Sequence, residues 1–215
     1  MKKLVLIFCV VMIVFAEEET LNSRDVLDVY AEQKLVSDKS GKYISFGLGV
    51  PLMRALNPEK APSLYTPILF SFKAGSQSFF TKNVGVRGFF AFDGYFDDIN
   101  YQFQRSMIHS FYGMLSLGLD VVIEWAISHN NRYFLGFFAG AGFGAVIYTD
   151  NQNYNSFSKL FMKANIIVEG GVELTLAISH RIGFGVKLTP IQKDSAAPLI
   201  EQTDFLPFVF YSYKF

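Results

Sequence analysis

Three histidines each stand beside a serine: His109-Ser110, Ser128-His129 and Ser179-His180. A base next to a hydroxyl is the start of a nucleophilic centre, provided that the two side chains reach one another. His109-Ser110 lies in an alternating segment, where neighbouring residues point to opposite faces, so this pair cannot join. The other two pairs fall in short polar connections, where Ser and His are ordinary turn residues. Gly140-Ala141-Gly142-Phe143-Gly144 has the glycines of a phosphate loop, yet they alternate along a strand and no helix follows to receive a phosphate. Three scattered histidines and one cysteine, Cys9, do not make a metal set. No catalytic residue, cofactor or metal is therefore expected. A third set carries more: Lys73, Arg87, Asp120, Glu124, Glu169, Glu173, Arg181, Lys187 and Lys214 recur on the polar face of alternating segments.

Those segments must be strands. From Tyr43 onward the hydrophobic period is two. Eight stretches show it: residues 42–50, 67–75, 82–96, 110–125, 132–148, 163–176, 181–189 and 203–215. Ile44, Phe46 and Leu48 oppose Ser45, Gly47 and Gly49 in the first; Ile182, Phe184 and Val186 oppose Arg181, Gly183 and Gly185 in the seventh. Gaps between them alternate between long (51–66, 94–106, 149–159, 190–203) and short (76–81, 126–131, 177–180). Long loops at one end and short turns at the other are the pattern of transmembrane β-barrels. The fold expected is all-β, an eight-stranded antiparallel transmembrane β-barrel with short periplasmic turns and longer extracellular loops.

Period two alone does not say which face meets lipid, since a soluble barrel turns its apolar face inward. Three features choose lipid. The polar face is rich in Gly, Ser and Ala, which a narrow bore needs and a solvated surface does not. The stretches are long enough to cross a bilayer at a tilt. Aromatic residues gather at stretch ends, where Tyr43, Tyr95, Tyr112, Trp125, Tyr133, Tyr148, Tyr211 and Tyr213 suit interfacial girdles. The nine charges then line the bore. Buried charges persist only when paired, so they are expected to form a compensated network that fills it. Counted from the turns, Lys73, Glu124, Glu173, Arg181 and Lys214 should lie near the periplasmic end, with Arg87, Asp120, Glu169 and Lys187 nearer mid-height.

The first residues set the compartment. Lys2-Lys3 precede a thirteen-residue apolar run, 4–16, that ends at Ala16 before three glutamates. This is a basic, apolar and small-residue order typical of a signal peptide, so 1–16 is read as removed. Cys9 leaves with it, and the remaining charge is 19 − 2 = 17 basic against 19 acidic residues. Such a balance gives nucleic acid no electrostatic foothold. Residues 17–42 read as an N-terminal periplasmic tail, with a short helix over Asp25 to Leu35 capped by Asn22 or Ser23. Residues 43–215 read as the barrel.

The chain closes on Tyr211-x-Tyr213-x-Phe215, which resembles the terminal aromatic pattern that outer-membrane barrels present to their assembly machinery. Three blocks extend the likeness: Gln77-Ser78-Phe79-Phe80 with Gly85-Val86-Arg87-Gly88-Phe89-Phe90 and Asp93; His180-Arg181-Ile182-Gly183-Phe184-Gly185-Val186-Lys187-Leu188-Thr189-Pro190; and the aromatic end. Together they resemble the barrel portion of the Helicobacter-type outer membrane protein family, over roughly 43–215. That family includes adhesins and porin-like members. The adhesins carry a large extracellular receptor-binding region, and no segment here matches it.

The reading is a non-enzymatic protein of the bacterial outer membrane, structural or surface-interacting, with a side-chain-filled bore. A narrow porin-like channel and a lipid-modifying enzyme are the alternatives. Expected partners are outer-membrane lipid and lipopolysaccharide, the assembly machinery through Tyr211, Tyr213 and Phe215, and an extracellular partner met by the loops. Asp97, Asp98, Asn100, Tyr101, Asn151, Asn153 and Tyr154 are the loop candidates.

Overall fold

The computed structural model describes residues 23–50, 52–55, 63–65, 68–99, 108–150, 161–188 and 202–215. The segment read as a signal peptide lies outside them. The described chain opens with a helix, α1 (Ser23–Lys39), longer at its C-terminal end than the sequence suggested. Ser40 ends it: its amide donates to the Val36 carbonyl at 3.1 Å and its hydroxyl to the same oxygen at 2.8 Å. Gly41 follows at φ 146°, a conformation that side chains resist. A Cβ there would lie 2.7 Å from the Phe215 carbonyl, so this junction between helix and strand requires glycine.

Among the described residues ten strands follow: β1 (Gly41–Gly49), β2 (Leu52–Ala55), β3 (Ser63–Tyr65), β4 (Leu69–Phe79), β5 (Val84–Ile99), β6 (Ile108–Ala126), β7 (Tyr133–Asp150), β8 (Phe161–Leu176), β9 (His180–Leu188) and β10 (Gln202–Lys214). Eight of them, β1 and β4 to β10, form an antiparallel meander, and β1 pairs back onto β10 to close it. An even number of strands is what lets an up-and-down meander close antiparallel. Closure leaves no edge in the wall. The closing register runs from Tyr43↔Lys214 to Gly49↔Phe208, and the Phe215 amide adds a bond to the Lys42 carbonyl at 3.0 Å. Strands β2 and β3 form a small hairpin that pairs with the start of β10, inside a gap that the sequence left as loop.

The wall is taller on one side. Strands β5 to β8 have 16 to 19 residues, whereas β1 and β9 have nine. About ten tilted residues cross the hydrocarbon. The surplus lies at the long-loop end, where β5 and β6 stay in register as far as Ile99↔Ile108. Asp97 and Asp98, expected in a loop, therefore belong to β5, opposite Ser110 and His109. The backbone ladder continues past the point where hydrophobic alternation stops. Asn100, Tyr101, Asn151, Asn153 and Tyr154 lie outside the described residues.

Orientation is decided by exposure. Phe70 is 65% exposed, Leu117 61% and Phe184 49%, while Arg87 and Glu169 are 4% and 2% exposed. A continuous apolar belt thus faces outward around a polar interior, the reverse of a soluble barrel. Among the described residues no helix is long and apolar enough to cross a membrane. The girdle expectation holds in part. Trp125, Tyr133, Tyr211 and Tyr213 face outward near the short-turn end, but Tyr43, Tyr95 and Tyr112 are buried inside. Tyr43 shares its parity with Ser45 and Gly47, and parity rather than position at a strand end sets its side.

Candidate functional site

The bore is organised by its glycines. At Gly118 an added Cβ would come 2.5 Å from Phe89 Cζ, at Gly183 2.4 Å from Phe210 Cζ, and at Gly185 2.7 Å from Phe208 Cζ. At Gly171 it would meet Phe138 at 2.8 Å and at Gly85 Phe79 at 2.9 Å. Each missing side chain makes room for an inward-pointing ring. Four of these rings in turn face cations. Lys73 Nζ lies 3.9 Å from the Phe89 centroid, the Arg87 guanidinium 5.1 Å from Phe138, Arg181 5.7 Å from Phe79 and Lys187 5.8 Å from Phe208. Positive charge over a ring face is attracted by the ring quadrupole.

Carboxylates complete the arrangement, and the signs alternate along one continuous chain. Lys39 Nζ is 2.6 Å from Glu124, Glu124 3.2 Å from Arg181, Arg181 3.4 Å from Glu173, and Glu173 2.6 Å from Arg87. Arg87 lies 3.5 Å from Asp120 and Asp120 3.5 Å from Lys73. Lys73 pairs with Glu169, Glu169 lies 3.7 Å from Lys187, and Lys187 2.6 Å from Asp93. Ser71 then donates to Asp93 at 2.6 Å. Five cations and five carboxylates follow one another from the short-turn mouth toward the long-loop end. Neutral groups fasten the lower part: Thr175 donates to Glu124 at 2.9 Å, Arg181 Nε to Thr175 at 3.1 Å, and an Arg181 guanidinium nitrogen to the Gln77 side-chain oxygen.

Eight of the nine charges singled out in the sequence lie in this chain. Lys214, half-buried at the end of β10, takes part in none of these pairs. The levels need one exchange. Lys73 stands six residues from Phe79, the end of β4, and meets the mid-height acids; Arg87 stands three residues from Val84 and bonds Glu173 low in the bore. Two members are additions. Asp93 occupies an inward position of β5, so its parity with Arg87 and Ala91 could have placed it. Lys39 comes from α1, in a segment set aside as a tail, where strand alternation gives no signal. Burial draws the Lys39 pKa below the ordinary lysine value, and the Glu124 carboxylate opposes that shift.

The aromatic end lies outside the bore. Tyr211, Tyr213 and Phe215 are all exposed on the outer face of β10, and the rings of Tyr213 and Phe215 meet edge to face at 5.7 Å. His180, the first residue of β9, hydrogen-bonds through Nδ1 to the Tyr211 hydroxyl at 2.7 Å. Its partner is thus a tyrosine rather than a serine. His129 is exposed in the turn between β6 and β7, and His109 lies in β6 in register with Asp98. Among the described residues no three His, Cys, Asp or Glu side chains are grouped to hold a metal ion.

The sequence matches the family described as Helicobacter outer membrane protein over residues 71–215. The chain belongs to that family. Membership together with the closed barrel makes it a protein of the bacterial outer membrane. No curated protein matches the sequence. Among solved structures, similar folds include Ail, the attachment invasion locus protein of Yersinia pestis, crystallised with the heparin analogue sucrose octasulfate: 15% identity and TM-score 0.48, covering 82% of this chain and 99% of that one. Neisserial surface protein A gives 10% identity and TM-score 0.49, covering 82% and 98%. OprG from Pseudomonas aeruginosa gives 14% and 0.46, covering 82% and 96%. Within the matched span, this chain's own aromatic ending lies on the outer face and its Gly183–Lys187 stretch in the barrel wall, with Phe184 outward and Lys187 in the bore.

Proposed function

We propose that this member of the Helicobacter outer membrane protein family is a non-enzymatic barrel whose bore is filled by side chains, with a structural or surface-interaction role. One observation carries the reading: ten charges of alternating sign, all buried except the half-buried Lys73, run through the bore, each within ion-pair distance of the next. Eight strands leave an interior just wide enough for side chains, and here those side chains are large rings and long cations. A conducting path would have to break several of these contacts at once, each break leaving a charge uncompensated in low dielectric. Residues 1–16 serve as the export signal in this reading. Tyr211, Tyr213 and Phe215 are recognised during assembly, when the unpaired edge of β10 can be captured by strand addition. Asp97, Asp98 and the loops beyond them face any extracellular partner, while lipid and lipopolysaccharide surround the belt.

Planar-bilayer recording on refolded protein tests this directly. The expected result is no current steps above background. Regular steps whose size changes when Glu169 or Lys187 is reversed in sign would replace the reading with that of a narrow channel.

A further inference from the structure

The short-turn mouth, periplasmic in outer-membrane barrels, is closed by a residue that does not belong to the wall. The Lys39 side chain is fully buried. Its ammonium donates to the Lys82 carbonyl at 2.6 Å, reaches Glu124 Oε2 at 2.6 Å, and lies 4.3 and 4.0 Å from the ring centroids of Phe79 and Phe134. One carboxylate, one carbonyl and two ring faces surround the ammonium, a set that suits a primary ammonium. All four groups come from the barrel: β4, the turn after it, β6 and β7. Only the ligand comes from α1. Contacts at its base hold the helix end in place, since the Gln77 side-chain amide donates to the Lys39 carbonyl and the Phe79 amide to the Ser40 hydroxyl at 3.0 Å. Apolar packing contributes less, because Leu27, Val29 and Tyr30 of α1 are exposed and Val36 alone is packed against the interior cluster.

We propose that the periplasmic mouth carries a binding site for a primary alkylammonium, and that Lys39 is its tethered ligand, which makes α1 a stopper seated by ammonium recognition. Charge balance points the same way. With Lys39 withdrawn, five buried carboxylates face four cations, and Glu124, at the end of the chain, loses one of its two cationic partners. Tethering gives the resident lysine an effective concentration on the order of millimolar or higher, so it outcompetes dilute free amines. The site becomes available only when the helix leaves.

The test uses the refolded full chain with Lys39→Ala, heated in detergent and resolved as folded and unfolded bands on a gel. Its unfolding temperature should fall below that of wild type. n-Butylammonium chloride should restore it in a saturable manner, while tetramethylammonium chloride at equal ionic strength should not, having no N–H to donate. Lys39→Met should show the loss without the rescue, because its own stem fills the seat. If Lys39→Ala does not refold unaided, the yield of folded band on refolding with each of the two salts gives the same comparison. Equal effects of the two salts, equal rescue of the Met variant, or an unaltered unfolding temperature in Lys39→Ala would each overturn the proposal. The outcome is independent of whether the bore conducts.

Discussion

At the scale of single residues, the interior follows a repeated logic in which glycine admits a ring, the ring faces a cation, and the cation meets a carboxylate. Reversing one charge breaks that logic at its most costly step. Arg87→Glu would set three carboxylates together low in the bore, beside Glu173 and Asp120. Leaving one buried partner uncompensated costs about 3–5 kcal/mol, and the same holds for Glu169→Lys between Lys73 and Lys187. Both variants should lose most of their heat resistance in a gel-shift assay, whereas charge changes at exposed His129 or Asn130 should not. Glycines give a matched pair. A Cβ at Gly171 would sit 2.2 Å from the Phe184 carbonyl, but at Gly88 its nearest neighbour would be Leu119 Cδ2 at 3.6 Å. Gly171→Ala should cost about 1–3 kcal/mol through overpacking and Gly88→Ala little, as the same assay would read. Much of this was legible in the residues, because period two sorts Lys73, Arg87 and Glu169 onto the inner face without further information. Lys39 was not, since its partner Glu124 is far along the chain and only closure brings them together. Tyr43, Tyr95 and Tyr112 show that a tyrosine's side follows its parity, which the sequence already carried.

Elements show where local chemistry and global closure disagree. The turn between β8 and β9 holds Ala177 at φ 50° and Ile178 at φ 69°, left-handed positions without glycine. A left-handed non-glycine residue costs roughly 1–2 kcal/mol, and a β-branched one is worse placed still. Ile178→Gly should therefore raise the unfolding temperature, offset in part by the greater freedom of glycine in the unfolded chain. A lowered midpoint would mean that the Ile178 side chain holds the turn by contacts that outweigh the strain. The terminal strand behaves differently. Tyr211, Tyr213 and Phe215 face outward and make few interior contacts, so replacing Tyr213 and Phe215 by Ala should reduce the amount assembled in the outer membrane while leaving refolded protein nearly as heat-resistant as wild type. Fractionation of cells beside in vitro refolding separates the two effects. Strand existence was readable from alternation, but strand ends were not. Beyond Tyr95 the sequence Phe96-Asp97-Asp98-Ile99 has no apolar face, yet the ladder with β6 continues to Ile99↔Ile108.

For the molecule as a whole, one choice governs the rest: which face of the period-two wall meets hydrocarbon. The single tryptophan reports on it without ambiguity. Trp125 lies on the outer face of β6, 48% exposed, one residue before the strand ends at the short-turn mouth, and its ring meets Phe137 edge to face at 6.0 Å. Its neighbour Glu124 points the other way and is fully buried. Indole rings of outer-membrane barrels settle at the level of the lipid headgroups. Refolded into vesicles, Trp125 should therefore be quenched by lipids brominated near the headgroup end of the acyl chain more strongly than by lipids brominated near the terminal methyl. Aqueous acrylamide should quench it weakly. A soluble barrel of the same strand order would give the opposite pattern, with strong acrylamide quenching and no response to either lipid. Intermediate depth, with both brominated lipids equally effective, would place the barrel deeper and require the short-turn end to enter the hydrocarbon. That result would bring Arg132 and Lys82, both exposed beside that mouth, into contact with acyl chains, at a cost that climbs from about 0–1 kcal/mol for each cation near the interface toward about 2–4 kcal/mol at the midplane.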